Sequence, residues 1–188
     1  MKAITFLFLF ILCSTQLCAQ QSATWLRYPA LSPDGRTIAF SWQGDLYTVP
    51  ASGGTAKLLV KLGGNELMPV WSHNGKQIAL AANRHGNFDI FIVAAVGGEV
   101  RRLTWHSTDE FPYDFCDNDQ SVLFGAARID APSNRQFPSE SLEELYTVPA
   151  VGGRTSQVLT TPAEDAKQSR DGRFIVYHDN KTRENPWR

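Results

Sequence analysis

Cysteine is scarce in this chain, and what little there is sits apart. Of its three cysteines, Cys13 and Cys18 lie in the first 21 residues, which leaves Cys116 alone in the rest of the sequence. A lone thiol forms no internal disulfide, so a stapled small-domain scaffold is excluded and the fold must rest on its core. Charge of one sign is also missing: 18 basic residues face 19 acidic ones, and Arg101-Arg102 is the only basic doublet. This removes the electrostatic case for nucleic acid or for an acidic surface partner. Long apolar runs are absent after the first residues, while 43% hydrophobic and 20% charged residues exclude a disordered chain.

The first 21 residues read differently. Lys2 gives a short positive start, Phe6 to Leu12 is unbroken apolar sequence, and Leu17-Cys18-Ala19 offers small residues for cleavage. The pattern predicts a secretory signal peptide over residues 1–19, with the mature chain beginning at Gln20. The apolar run is too short for a membrane-spanning helix. Lipidation at Cys18 is disfavoured, because Thr15-Gln16-Leu17 lacks the small residues usual before a lipidated cysteine.

The stretch from Tyr28 to Val60 is then repeated. It contains Ser32-Pro33-Asp34-Gly35, an apolar triplet Ile38-Ala39-Phe40, the strand-like Asp45-Leu46-Tyr47-Thr48-Val49, a Gly53-Gly54 turn and Lys57-Leu58-Leu59-Val60. Pro33-Asp34-Gly35 supplies a fixed φ, a capping side chain and a residue free to take positive φ. Asp34-Gly35 recurs as Asn74-Gly75, 40 residues on, and as Asp171-Gly172, while Asn118-Asp119 takes the same register without glycine. The triplet recurs as Ile78-Ala79-Leu80, Val122-Leu123-Phe124 and Ile175-Val176-Tyr177. The third strand recurs from Asp89 and from Glu144, followed by Gly97-Gly98 and Gly152-Gly153. Four short strands repeating at this period predict the blades of a β-propeller. Blades are expected at about 28–62, 67–105, 111–160 and 164–188, the last cut off, so that residues 20–188 make three blades and part of a fourth in an incomplete ring. Between Ala126 and Glu143 an insertion rich in proline and serine predicts an exposed loop.

Catalytic patterns are absent. There is no Gly-x-Ser-x-Gly elbow and no His-Glu-x-x-His pair. Asp114 to Asp119 lacks the glycine and distal glutamate of a calcium loop, and each Gly-Gly lies between strands rather than before a helix. His106-Ser107-Thr108-Asp109 juxtaposes the residue types of a hydrolase triad, but neighbours on one loop do not reach triad geometry. His73 reads as turn filler, Cys116 as a buried structural thiol, and Phe40 as interblade core. The periodic acids Asp45, Asp89 and Glu144 read as structural, accepting backbone N–H groups that lock a turn to its neighbour. No catalytic, cofactor-binding or metal-binding residue is therefore expected in this chain.

The Ser-Pro-Asp-Gly turn, the apolar strand, Asp-Leu-Tyr-Thr-Val, Gly-Gly and a closing Leu-Thr resemble the TolB-type propeller repeat over about Tyr28 to Tyr177. The Tyr28–Gly35 opening and the tail from Tyr177-His178-Asp179 to Glu184-Asn185-Pro186-Trp187-Arg188 look like the start of secreted tricorn protease homologues. That resemblance implies tandem propellers, a PDZ-like domain and a serine-peptidase core carrying the catalytic groups beyond Arg188. It implies a role here in binding or gating peptide or protein substrates, contact with downstream domains, an exported location, periplasmic or extracellular, and room for homo-oligomers of the full-length protein. The alternatives are a non-enzymatic TolB-like periplasmic binding propeller and the propeller of another hydrolase.

Overall fold

Each repeat is set by a turn whose chemistry recurs bond for bond. In the first, Ser32 Oγ donates to Asp34 Oδ1 at 2.7 Å, Asp34 Oδ1 accepts the Arg36 N–H, and Ser32 Oγ accepts the Thr37 N–H. Ser72, Asn74, Lys76 and Gln77 repeat the set, as do Ser169, Asp171, Arg173 and Phe174. Gly35, Gly75 and Gly172 stand at φ of 72°, 69° and 70°, the left-handed conformation that glycine adopts without a Cβ penalty. Serine and the aspartate or asparagine two residues later therefore do as much as the glycine to close the turn.

The computed structural model describes residues 25–128, 142–159 and 161–179. The expected signal peptide, residues 129–141 of the insertion and the Glu184–Arg188 tail lie outside them. Blade one is β1 (Arg27–Leu31), β2 (Thr37–Trp42), β3 (Asp45–Pro50) and β4 (Lys57–Val60). Blade two is β5 (Glu66–Trp71), β6 (Gln77–Ala82), β7 (Asp89–Ala94) and β8 (Arg101–Arg102). Blade three is β9 (Glu110–Cys116), β10 (Ser121–Ala126), β11 (Glu144–Pro149) and β12 (Ser156–Leu159). Strands β13 (Ala163–Gln168) and β14 (Ile175–Asp179) form a two-stranded sheet. Every sheet is antiparallel, with its strands in chain order. The protein is all-β and propeller-like, and its ring is open.

Alternation along the strands assigns each side chain to one of two blade faces. One face of blade one (Ala39, Leu46, Val60) packs against Ile78, Leu80, Phe91 and Val93 of blade two. The other face of blade two (Ala79, Ile90, Ile92, Leu103) packs against Val122, Phe124, Tyr146 and Val148 of blade three. The third seam joins Leu123 and Leu145 to Ala163, Ala166 and Ile175. Ile78, Val122 and Ile175 share one register, and Ala39, Ala79 and Leu123 another, so the seams are copies of one packing solution. The corresponding face of blade one, Ile38, Phe40, Tyr47 and Val49, is covered by no blade among the described residues and lines an apolar concavity of about 570 Å³. Phe40 keeps only 8% of its surface exposed, through its own blade, where it stacks on Tyr47 with ring centroids 6.0 Å apart. It is not in the interblade core, because no described blade packs on that side.

Backbone bonds repeat between blades as well. The first residue of each following blade donates its N–H to the residue just before the preceding third strand: Glu66 to Gly44, Glu110 to Phe88, Ala163 to Glu143. Trp71 Nε1 adds a 3.0 Å bond to the Ala30 carbonyl across the first seam.

Candidate functional site

The first strands β1, β5, β9 and β13 touch one another in succession and form one continuous wall. Each carries a bulge, one residue more than its β2-type partner. In three of them a residue near that extra position takes positive φ: Tyr28 at 51°, Met68 at 51° and Asp165 at 50°. The strain recurs blade after blade, and proline follows it at Pro29 and Pro69, with Pro112 beside the bulged Tyr113 in blade three. Tyr28, Met68, Pro112, Tyr113, Asp165 and Lys167 line the resulting concavity of about 240 Å³. The prolines bring no N–H donor, so this surface offers apolar bodies and few polar contacts.

Tyr113 is the best fixed of these residues. Its ring lies over Gly125 on β10, where an added Cβ would collide with the phenol ring and its oxygen. Its hydroxyl donates to Glu143 Oε2 at 2.5 Å. Burial first, then the Glu143 carboxylate, push the phenol well above its ordinary value, so it is a neutral donor throughout the physiological range. Lys167 Nζ donates to the Tyr113 carbonyl and lies 3.5 Å from Asp114 Oδ1.

The periodic acids have partners other than backbone N–H groups. Asp45 pairs with Lys61 at 2.7 Å, Asp89 with Arg102 at 2.7 Å, and Glu144 accepts from Gln157 at 2.7 Å. They tie the start of the third strand to the outer side of the same blade, where a residue on or next to the outer strand supplies a long cationic or amide side chain. Turn-locking onto a neighbour falls to acids at other positions. Asp119 accepts the N–H groups of His73 and Asn74 at 2.8 and 2.9 Å, Asp109 that of Phe88, and Asp114 that of Gln168. His73 is thus more than turn filler, since its Nδ1 lies 2.8 Å from Asp119.

The triad-like loop is stitched down in separate pieces. His106 Nδ1 meets Thr108 Oγ1 at 2.8 Å, Asp109 holds the Phe88 backbone, and Asn87 donates to the carbonyls of His106 and Thr108. Cys116 is buried, and burial followed by the neighbouring Asp117 carboxylate push its thiol up to about 12, which leaves it protonated and unreactive.

Residues 23–188 match the tricorn protease N-terminal β-propeller domain. The chain belongs to that family. Among solved structures, this tricorn-type propeller is similar to a TolB-type protein from Agrobacterium tumefaciens, with 20% identity and a TM-score of 0.59 over 82% of this chain and 58% of that one. It is similar to TolB from Acinetobacter baumannii, with 19% identity and a TM-score of 0.62 over 83% of this chain and 38% of that one. A tricorn protease matches with 13% identity and a TM-score of 0.55, over 69% of this chain and 14% of that one. At these identities the likeness is one of fold. The tricorn-type chain spans less than two thirds of each of these proteins, and its open ring agrees with that share.

Proposed function

We propose that this segment is the polypeptide-binding and gating propeller of an exported, tricorn-like serine peptidase whose catalytic groups lie outside the chain. The observation that carries the reading is the first-strand wall. Tyr28, Met68 and Tyr113 come from three different blades at corresponding bulges, beside Pro29, Pro69 and Pro112. A surface of apolar bodies at repeat spacing, poor in directional donors, suits an extended chain of varied sequence better than one small molecule. The charged Asp165 and Lys167 stand at its blade-four end. Membership of the tricorn propeller family and the likeness to a prolyl endopeptidase propeller (TM-score 0.55, 15% identity, over 78% of this chain and 24% of that one) support the link to peptide handling.

Fluorescence anisotropy with a labelled, extended apolar peptide tests the wall. Met68→Arg should weaken binding by on the order of tenfold, the size expected when one buried apolar contact is lost. Val96→Arg, on an outer turn at 95% exposure, should leave it unchanged. Equal effects at the two positions would overturn the proposal. Export has its own check: the secreted protein should begin at Gln20 by intact mass, and a retained Met1 or a diacyl mass on Cys18 would contradict it.

A further inference from the structure

Two seams of this propeller bury a glutamate at the same register, and they treat its charge differently. Glu66 opens β5 and Glu110 opens β9, and both are fully buried. Glu110 Oε1 accepts from Arg128 Nε at 3.0 Å and from the same guanidinium's terminal nitrogen. Arg128 is itself held by Thr155 Oγ1 at 2.7 Å and by the faces of Phe124 and Tyr146. With Arg102 on Asp89, the second seam balances two carboxylates with two guanidiniums.

The first seam does not balance. Asp45 and Glu66 share a single ammonium, Lys61, which sits 2.7 Å from Asp45 with its side chain 64% exposed. Glu66 Oε1 accepts a long 3.2 Å bond from the Leu62 N–H, the Gly64 backbone also bonds the carboxylate, and Oε2, like Glu110 Oε2, has no hydrogen-bond partner among the described residues. Arg84 occupies the register that Arg128 holds in the next blade, but it is exposed. The charged groups facing Glu66 are therefore Asp45 and Lys61 from blade one and, two strands across its own sheet, Asp89 already bound by Arg102. A buried carboxylate without a matched cation is costly when ionised and cheap when neutral.

We infer that the seam between blades one and two is proton-sensitive, closed while Glu66 is neutral and loosened when it ionises. Burial first, and then Asp45, push Glu66 up from 4.5 to about 7, against the Leu62 and Gly64 backbone bonds and the Lys61 ammonium, which favour the charged form. A folded-state value above the unfolded one gives stability that is full below about 4.5 and is lost as pH rises through about 7. Met68 follows Glu66 by two residues on β5, so loosening would disturb the wall; that consequence rests on the proposed polypeptide site, while the seam itself does not.

Hydrogen exchange read by mass spectrometry on the ligand-free protein tests the seam directly. After correction for intrinsic rates, opening of peptides across Lys57–Trp71 should rise by on the order of tenfold from pH 5 to pH 8. Glu66→Gln should flatten this slope. A flat wild-type slope, or one that survives Glu66→Gln, overturns the inference. If the variant does not fold, the carbon-13 titration of the Glu66 carboxyl in the wild type decides: a midpoint near 7 supports it, and one between 4 and 5 defeats it. Because no peptide is present, failure of the binding proposal would leave this result untouched.

Discussion

Asp119 stands at φ 65° in the position that glycine fills in the other three turns. The residue tolerates that backbone because its carboxylate reaches the neighbouring blade, accepting two N–H groups and facing the His73 ring. Asp119→Gly relieves the backbone but removes these bonds, so it should destabilise the protein by about 1–3 kcal/mol, the range for charge-assisted hydrogen bonds. Urea melts give the value. Burial raises the Asp119 carboxyl, but the two N–H bonds and the His73 ring outweigh it and hold the group below its ordinary 3.8. A depressed folded value gives stability that is present above the unfolded one and is lost as pH falls through the folded one. The gap between wild type and Asp119→Asn should therefore close on acidification below about 4. Gly125 is a second informative residue, kept small by contact rather than by φ. Gly125→Ala must push the Tyr113 ring off its seat, at a cost of about 1–3 kcal/mol. It should weaken peptide binding as well, which a purely structural change far from the wall would not.

At the scale of strands and blades, the seams decide which large side chains matter. Phe124 is fully buried between blades two and three, and Phe124→Ala should cost about 3–5 kcal/mol in a denaturant melt. Phe40→Ala, at the equivalent register but on the uncovered face of blade one, should cost less in this chain. Equal costs would mean that the face is covered. The difference marks where the sequence was readable. The triplets, the third strands and the Gly-Gly turns are local and periodic, so the strands and their grouping into propeller blades could be read directly. Which blade lacks a neighbour is a property of the ring and leaves no trace at Phe40 itself. The wall was missed for a related reason. Its bulges depend on one extra residue in each first strand, visible only as the offset between the Ser32 and Ser72 turns and the prolines before them. The periodic acids can be recognised, but their partners Lys61, Arg102 and Gln157 lie 13 to 16 residues away with no fixed spacing signal.

For the whole molecule, an arc of blades leaves two kinds of surface unmet. The front of blade one is apolar, with Tyr47 and Trp42 in edge contact 5.5 Å apart, and among the described residues β14 pairs on one side only, with Val176 73% exposed. Such surfaces associate. The isolated chain should bind an apolar dye and sediment with concentration-dependent self-association, and Tyr47→Glu should reduce both. The central claim, however, is that the first-strand wall holds polypeptide without cutting it. A peptide bearing a photoreactive group, irradiated with the protein and then mapped by mass spectrometry, tests this most directly. Adducts are expected on the first strands at Tyr28, Met68 and Pro112, with the peptide recovered intact. Adducts confined to the outer turns around Val96 and Val151, or a peptide cleaved by this chain alone, would contradict it.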